Sequence, residues 1–223
     1  MVPALRRSPD EADGHRLFER FGVRRWRNYL QRAVRTRRFS IIAYNCWGGE
    51  VYRDLEIPYQ TPFVGLFLHV PCFLGLLENF EAAIRAPLEF VEESRYDGKV
   101  SYPVGLILGA YEIHFMHYNS REEAREKWNR RRDRMVQDLD DCFFMISHLG
   151  KGYYEDLGRF NSLPFRNKVL FTDRPMVEAP EAVVVPAQNG APGPDDGPTL
   201  YRRCHRYFDL ARWLNKEPIR PSS

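Results

Sequence analysis

The stretch Phe39-Ser40-Ile41-Ile42-Ala43-Tyr44-Asn45-Cys46-Trp47-Gly48-Gly49 decides how this chain is read. Its first six residues form a short, β-prone apolar run, the pattern of a strand buried on both faces. The run stops at Asn45. Residues 45–62 hold Gly48, Gly49, Pro58 and Pro62 and read as a loop.

Downstream, Pro71 suits the first turn of a helix continuing through Phe73, Leu77, Phe80 and Ile84. Short strands are expected over 88–91, 104–108 and 111–118, with the turn signal Asp97-Gly98 between the first two. Ser120 and Glu123 form a capping box that opens a charged helix running to about Val136, with Ala124, Trp128 and Met135 on its buried face. The helix's many arginines read as a solvated surface. A strand over 142–146, a helix near 153–160 and a last strand over 168–171 follow. Strands alternating with helices imply a sheet covered on both faces. The close strand succession over 88–118 implies some antiparallel pairs. The expected fold is α/β, a three-layer α/β/α sandwich with a mixed β-sheet.

Four segments are expected: a basic amphipathic helical extension over 1–37, an α/β core over 38–173, a Pro/Gly-rich linker over 174–198, and a C-terminal helix and tail over 199–223. The net charge of +3 is unevenly placed. Residues 1–40 hold eleven arginines against Asp10, Glu11, Asp13 and Glu19, a balance of +7, which leaves −4 for the rest. Residues 14–36 have helical apolar spacing (Leu17, Phe18, Phe21, Trp26, Tyr29, Leu30, Ala33, Val34). Such a helix most commonly docks on its own domain; a basic helix with Trp and Phe also suits an anionic membrane surface or a protein partner. Nucleic acid is not expected as a partner, because no recognised binding motif accompanies the charge.

At 223 residues, with 43% hydrophobic and 28% charged residues, the chain is of ordinary globular composition. No apolar run approaches the roughly 20 residues that span a bilayer. Arg6 and Arg7 are followed by no apolar segment of a secretory signal. Cys46, Cys72, Cys142 and Cys204 lie far apart and read as reduced thiols. The expected location is cytoplasmic, with peripheral inner-membrane contact if residues 14–36 face lipid.

Open α/β sheets bind ligands beyond the carboxyl ends of parallel strands. Asn45-Cys46-Trp47-Gly48-Gly49, His117-Tyr118, Ser147-His148 and Thr172-Asp173 follow expected strands. A Cys46 thiolate needs a nearby base or cation. His117 fits the base, Asp173 its orienter, and the amides of Gly48 and Gly49 fit as donors to a developing oxyanion. Against this stands the commoner fate of a lone cysteine, a small buried hydrophobe. No metal or cofactor is expected: His114 and His117 would face opposite sides of a strand, and Cys204 and His205 diverge by roughly 100° on a helix. Phosphate-loop, nucleophile-elbow and dinucleotide signatures are missing from the sequence.

The string at 45–49, Tyr59, Thr61-Pro62-Phe63, Tyr102-Pro103-Val104-Gly105, Ile113 to Tyr118, the 123–131 helix, Leu163-Pro164-Phe165, Lys168-Val169 and Phe171-Thr172 together resemble a bacterial domain-of-unknown-function family. Its members are commonly labelled exopolysaccharide-biosynthesis proteins. The motifs occur in order from about residue 38 to 173. Tyr44 stands where many members have Asn, Thr61 where Ser is usual, and Cys72 where an acid is common. The resemblance implies an α/β/α sandwich and a role in surface-polysaccharide synthesis, but carries no catalytic assignment.

On that footing one expectation is a sugar-modifying transferase acting on a sugar nucleotide or polysaccharide precursor. Cys46, His117 and Asp173 would be catalytic. Trp47, Tyr59, Phe63 and Tyr118 would stack on sugar, with Asn45, Gly48, Gly49, Thr61 and Lys168 completing the binding set. The competing expectation is a non-catalytic accessory, scaffold or carbohydrate-binding protein of the same pathway.

Overall fold

A computed structural model describes residues 22–148, 154–177, 179–186 and 197–218. Among these residues two sheets form. The first is parallel, in the order β1 (Ser40–Ala43), β5 (Cys142–His148), β6 (Asn167–Thr172), β7 (Val183–Val184). Its first three strands are the continuous apolar runs Ile41–Ala43, Phe143–Ile146 and Val169–Phe171, all buried, as a sheet covered on both faces requires. The second is an antiparallel meander of β2 (Glu89–Val91), β3 (Val104–Ile107) and β4 (Tyr111–His114).

Helices flank the parallel sheet on both sides. They are α1 (residues 22–33), α2 (Trp47–Leu55), α3 (Val70–Glu78), α4 (Phe80–Arg85), α5 (Arg121–Arg132), α6 (Tyr154–Ser162), α7 (Gly197–Cys204) and α8 (Leu210–Leu214). Strand alternation assigns the layers. Phe143 of β5 packs on Trp213 of α8, whereas its neighbour Phe144 packs on Phe80 of α4 and stacks on Phe165. Trp47 of α2 touches Phe171, Tyr201 and Trp213, which places α2, α7 and α8 together on one face. The class is therefore α/β with helices on both faces, and parallel and antiparallel pairing are both present.

A strap, residues 64–68, joins the two sheets. Phe67 and His114 exchange backbone hydrogen bonds of 2.9 and 2.8 Å, and His117 N donates to the Gly65 carbonyl at 3.3 Å. On the other side, Leu68 N donates to the Tyr44 carbonyl at 2.8 Å. The antiparallel meander thus continues through the strap to the carboxyl end of β1.

Two expectations change. Residues 47–55, read as loop, are helix α2. Trp47, Val51, Tyr52 and Leu55 already have helical spacing and are buried; the glycines masked that pattern because they pack the helix closely rather than end it. Within the stretch read as linker, Val185 N donates to the Thr172 carbonyl and Val185 and Ala179 are buried, so residues 179–185 belong to the packed body. Of the N-terminal pattern, Leu17, Phe18 and Phe21 lie outside the described residues.

A buried carboxylate fixes α1 to this body. Asp54 of α2 accepts from Arg27 (3.1 Å) and from the Tyr201 hydroxyl (2.8 Å), while Gln31 donates to the Asp54 carbonyl. Burial, then Asp54, holds the Tyr201 phenol well above its ordinary pKa, so it stays a donor. Asp54→Ala strands the Tyr201 hydroxyl and leaves Arg27 unpaired. It should cost about 1–3 kcal/mol, read as a lower urea midpoint at unchanged slope. An unmoved midpoint would contradict this account.

Candidate functional site

Asn45-Cys46-Trp47-Gly48-Gly49 is the turn from β1 into α2. The Asn45 side-chain carbonyl accepts from Trp47 N at 3.0 Å, and Cys46 is the N-cap residue. A Cβ at Gly48 would lie 2.9 Å from Ile41 Cγ2, so glycine lets α2 rest directly on β1. Gly197, opening α7, sits on the same turn: a Cβ there would come within 2.3 Å of Trp47 N. With Trp47 fully buried, most of the motif packs rather than lines an open cradle.

The parallel register brings Cys46 and Asp173 to one edge of the sheet, yet β5 lies between their strands, a separation of about 10 Å for two strand spacings. His117 is exposed and follows β4 in the other sheet. Cys46 and His117 both touch the strap: the Cys46 Sγ lies 3.9 Å from the Leu66 carbonyl, and His117 N donates to the neighbouring Gly65 carbonyl at 3.3 Å. Lys168 stands at the opposite end of β6, where its ammonium donates to the Asn161 and Leu163 carbonyls. Cys46 and His117 thus meet neighbouring strap residues, while Asp173 follows a strand two places from that of Cys46.

The strap does gather Tyr59, Thr61, Phe63 and Tyr118, and it adds Arg131. Thr61 Oγ1 accepts from Phe63 N, and the buried Phe63 ring packs on Trp128. Tyr118 donates to the Val64 carbonyl and accepts from Arg131 Nη1, which also reaches Val64 O at 3.1 Å. The guanidinium lies 4.9 Å over the half-buried Tyr59 ring and 5.9 Å from the Tyr118 ring. Among the described residues no carboxylate pairs with Arg131, although most neighbouring arginines of α5 are paired. Burial holds the Tyr118 phenol above its ordinary pKa; Arg131 opposes this, and Cys46 is close enough to add to it. The sequence signal for Arg131 was its position three residues after Trp128, on the helix's buried side.

A second polar cluster was not anticipated. His69, the N-cap residue of α3, lies 2.9 Å from Asp97, and the fully buried His114 lies 3.6 Å from the same Asp97 oxygen. The other nitrogen of His114 faces Glu112 at 3.5 Å. Glu112 is itself buried and accepts from Ser94 Oγ (2.7 Å) and Arg95 N (2.9 Å). Burial, then His69, holds the His114 pKa below its ordinary value, against the pull of Asp97 and Glu112. β4 ends at His114 and His117 lies in the turn beyond it, so strand alternation does not relate the two, and the partners of His114 come from other loops.

Residues 18–215 match the family described as domain of unknown function DUF1919. The chain belongs to that family. The matched span takes in α1 and the C-terminal helices as well as the strap and both polar clusters. An uncharacterized protein of Haemophilus influenzae (strain ATCC 51907 / DSM 11121 / KW20 / Rd) is 41% identical over 146 residues, covering 66% of this chain and 67% of that protein.

The four cysteines of this DUF1919 chain are thiols in unlike surroundings. Burial pushes Cys142 up to about 12, helped by Asp141 and Asp138, and burial pushes Cys204 up to about 12. Cys72 is buried, whereas Cys46 is half-buried. A thiol reagent such as iodoacetamide at pH 8 should label Cys46 first in the native protein, with the other three following only on unfolding. Mass mapping that finds Cys142 or Cys204 labelled as early as Cys46 would defeat this ranking.

Proposed function

We propose that this chain works in surface-polysaccharide biosynthesis by holding an anionic sugar precursor, a sugar nucleotide or sugar phosphate, against Arg131. The pathway comes from the resemblance set out above. The ligand class comes from one observation: a half-buried guanidinium, propped by Tyr118 and Val64, that no carboxylate neutralises among the described residues. A partly buried cation without a counter-ion gives up part of its solvation, and a planar guanidinium suits bidentate phosphate recognition. Tyr59 on the same rim offers a ring face for a sugar or base. Phe63 and Tyr118 are buried and support the rim from behind, whereas Trp47 packs away from it against Phe171, Tyr201 and Trp213.

Titration with uridine diphosphate glucose as probe tests this reading. Arg131→Ala should weaken binding about tenfold or more, the scale of a lost charge-assisted hydrogen bond, and Arg131→Lys should restore part of it. Equal affinities with an intact circular dichroism spectrum would sink the proposal. The transferase form, with Cys46 as nucleophile and His117 as base, needs the thiol to act on a ligand held at Arg131. Undiminished polysaccharide in a Cys46→Ala strain removes that form and leaves the binding reading in place.

A second reading, an accessory protein meeting an anionic surface through α1, is favoured by the exposed Arg24, Arg25 and Arg32. Leu30 and Val34 are buried against the domain, so contact by this helix would be electrostatic rather than insertive. Each arginine near an anionic bilayer contributes roughly 1 kcal/mol. Co-sedimentation with phosphatidylglycerol vesicles should therefore fall when Arg24, Arg25 and Arg32 become Gln, and fall again in high salt. Salt-independent partitioning would contradict it.

A further inference from the structure

The His69–Asp97–His114 cluster has the donors, spacing and support of a transition-metal site. We infer that these three residues bind one divalent first-row transition ion, zinc in the first instance, through an imidazole nitrogen of each histidine and a carboxylate oxygen of Asp97. The inference is independent of the Arg131 reading, since none of its residues belongs to that rim.

Geometry carries it. The three donor atoms all lie within 4.8 Å of one another. His69 Nε2 is 2.9 Å, and His114 Nδ1 3.6 Å, from the same Asp97 oxygen. Zinc bonds of about 2.0–2.2 Å in a tetrahedron place donors about 3.3–3.5 Å apart. These two distances bracket that spacing, and the two histidine donors lie within 4.8 Å of each other, so side-chain rotation would bring all three onto one ion.

The surroundings orient the donors. The His69 ring is stacked on Tyr96 at 4.3 Å, which fixes its plane. His114 is held through its backbone by the exchange with Phe67. Its Nε2 makes no hydrogen bond and points toward Glu112 Oε2 at 3.5 Å. Coordination at Nδ1 would make the Nε2 proton a stronger donor, drawing that contact into the carboxylate–histidine–metal arrangement common at such sites. Glu112 is pinned by Ser94 and Arg95 and cannot simply swing in as a ligand. An ion pair between His69 and Asp97 alone would need neither the buried imidazole nor its carboxylate backing.

Access and ligand count point the same way. Asp97 is 41% exposed at its side chain while His114 is sealed, so an ion has a way in and a rigid floor. Three protein donors leave a fourth position open, the pattern of sites that hold water or a substrate oxygen. The Tyr102 hydroxyl hydrogen-bonds His114 Nδ1 at 3.3 Å, and an entering ion would take its place on that nitrogen.

The test is zinc titration of the full chain after chelator dialysis, followed by calorimetry, with Co²⁺ absorption as a second readout. The wild type should bind one equivalent. His69→Ala and Asp97→Asn, both at accessible positions, should each weaken binding beyond the roughly 10–100-fold expected for loss of a mere outer-shell partner. His205→Ala, an exposed histidine on another element, should bind like wild type. Circular dichroism confirms that the variants fold. Failure of the wild type to bind, retained affinity in both cluster variants, or equal loss in His205→Ala would each overturn the inference.

Discussion

The fold turns on a few backbone hydrogen bonds made by residues 64–68. Phe67 exchanges both of its bonds with His114, and Leu68 gives its amide to Tyr44. These groups lie among buried residues, where a donor or acceptor left without a partner costs about 1–3 kcal/mol. The strap must therefore stay seated on both sides. Through it the three-stranded meander is held at the carboxyl end of β1, the end where α/β sheets present ligands. Without it, β4 and β1 would be edges of two separate sheets.

That seam explains where the two polar clusters sit. The Arg131 rim rests on Val64 at one end of the strap, and the His69–Asp97–His114 cluster forms beyond Phe67 at the other. Each combines groups that neither sheet owns alone. Arg131 comes from α5, Tyr118 from the turn before it, and Tyr59 from the connection after α2. His69 caps α3, Asp97 belongs to the Ser94–Gly98 turn, and His114 closes β4. Of these groups only His114 and Tyr118 are buried, and the others reach solvent from the same seam.

Much of the frame was legible in the sequence because it rests on local patterns. The apolar runs at 40–43, 142–148 and 167–172 are strands, and Ser120 caps α5 by accepting from Glu123 N at 3.2 Å. The reciprocal half of the box shifted by one residue, since Glu123 accepts from Asn119 rather than Ser120. Helix α2 was hidden because Gly48 and Gly49 signal a break in isolation, and only contact with Ile41 and Val64 shows why they are small. The clusters were hidden for a different reason. Asp97 looked like a turn residue and Arg131 like a solvated charge, and each is so locally. Their meaning comes from pairings across 17 to 67 residues of chain, which no spacing rule anticipates.

One further feature bears on how the molecule is made. The amide of Arg35 and the carbonyl of Ala33 are both satisfied by the side chain of Asn215, across 180 and 182 residues, and Trp26 reaches Tyr201 across 175. Synthesis proceeds from the N-terminus at about 5–20 residues per second. The face of α1 bearing Leu30 and Val34 is thus translated roughly ten to thirty seconds before the helices that cover it. During that interval its apolar positions lack the residues that bury them, so the packing of this face belongs to the last part of folding.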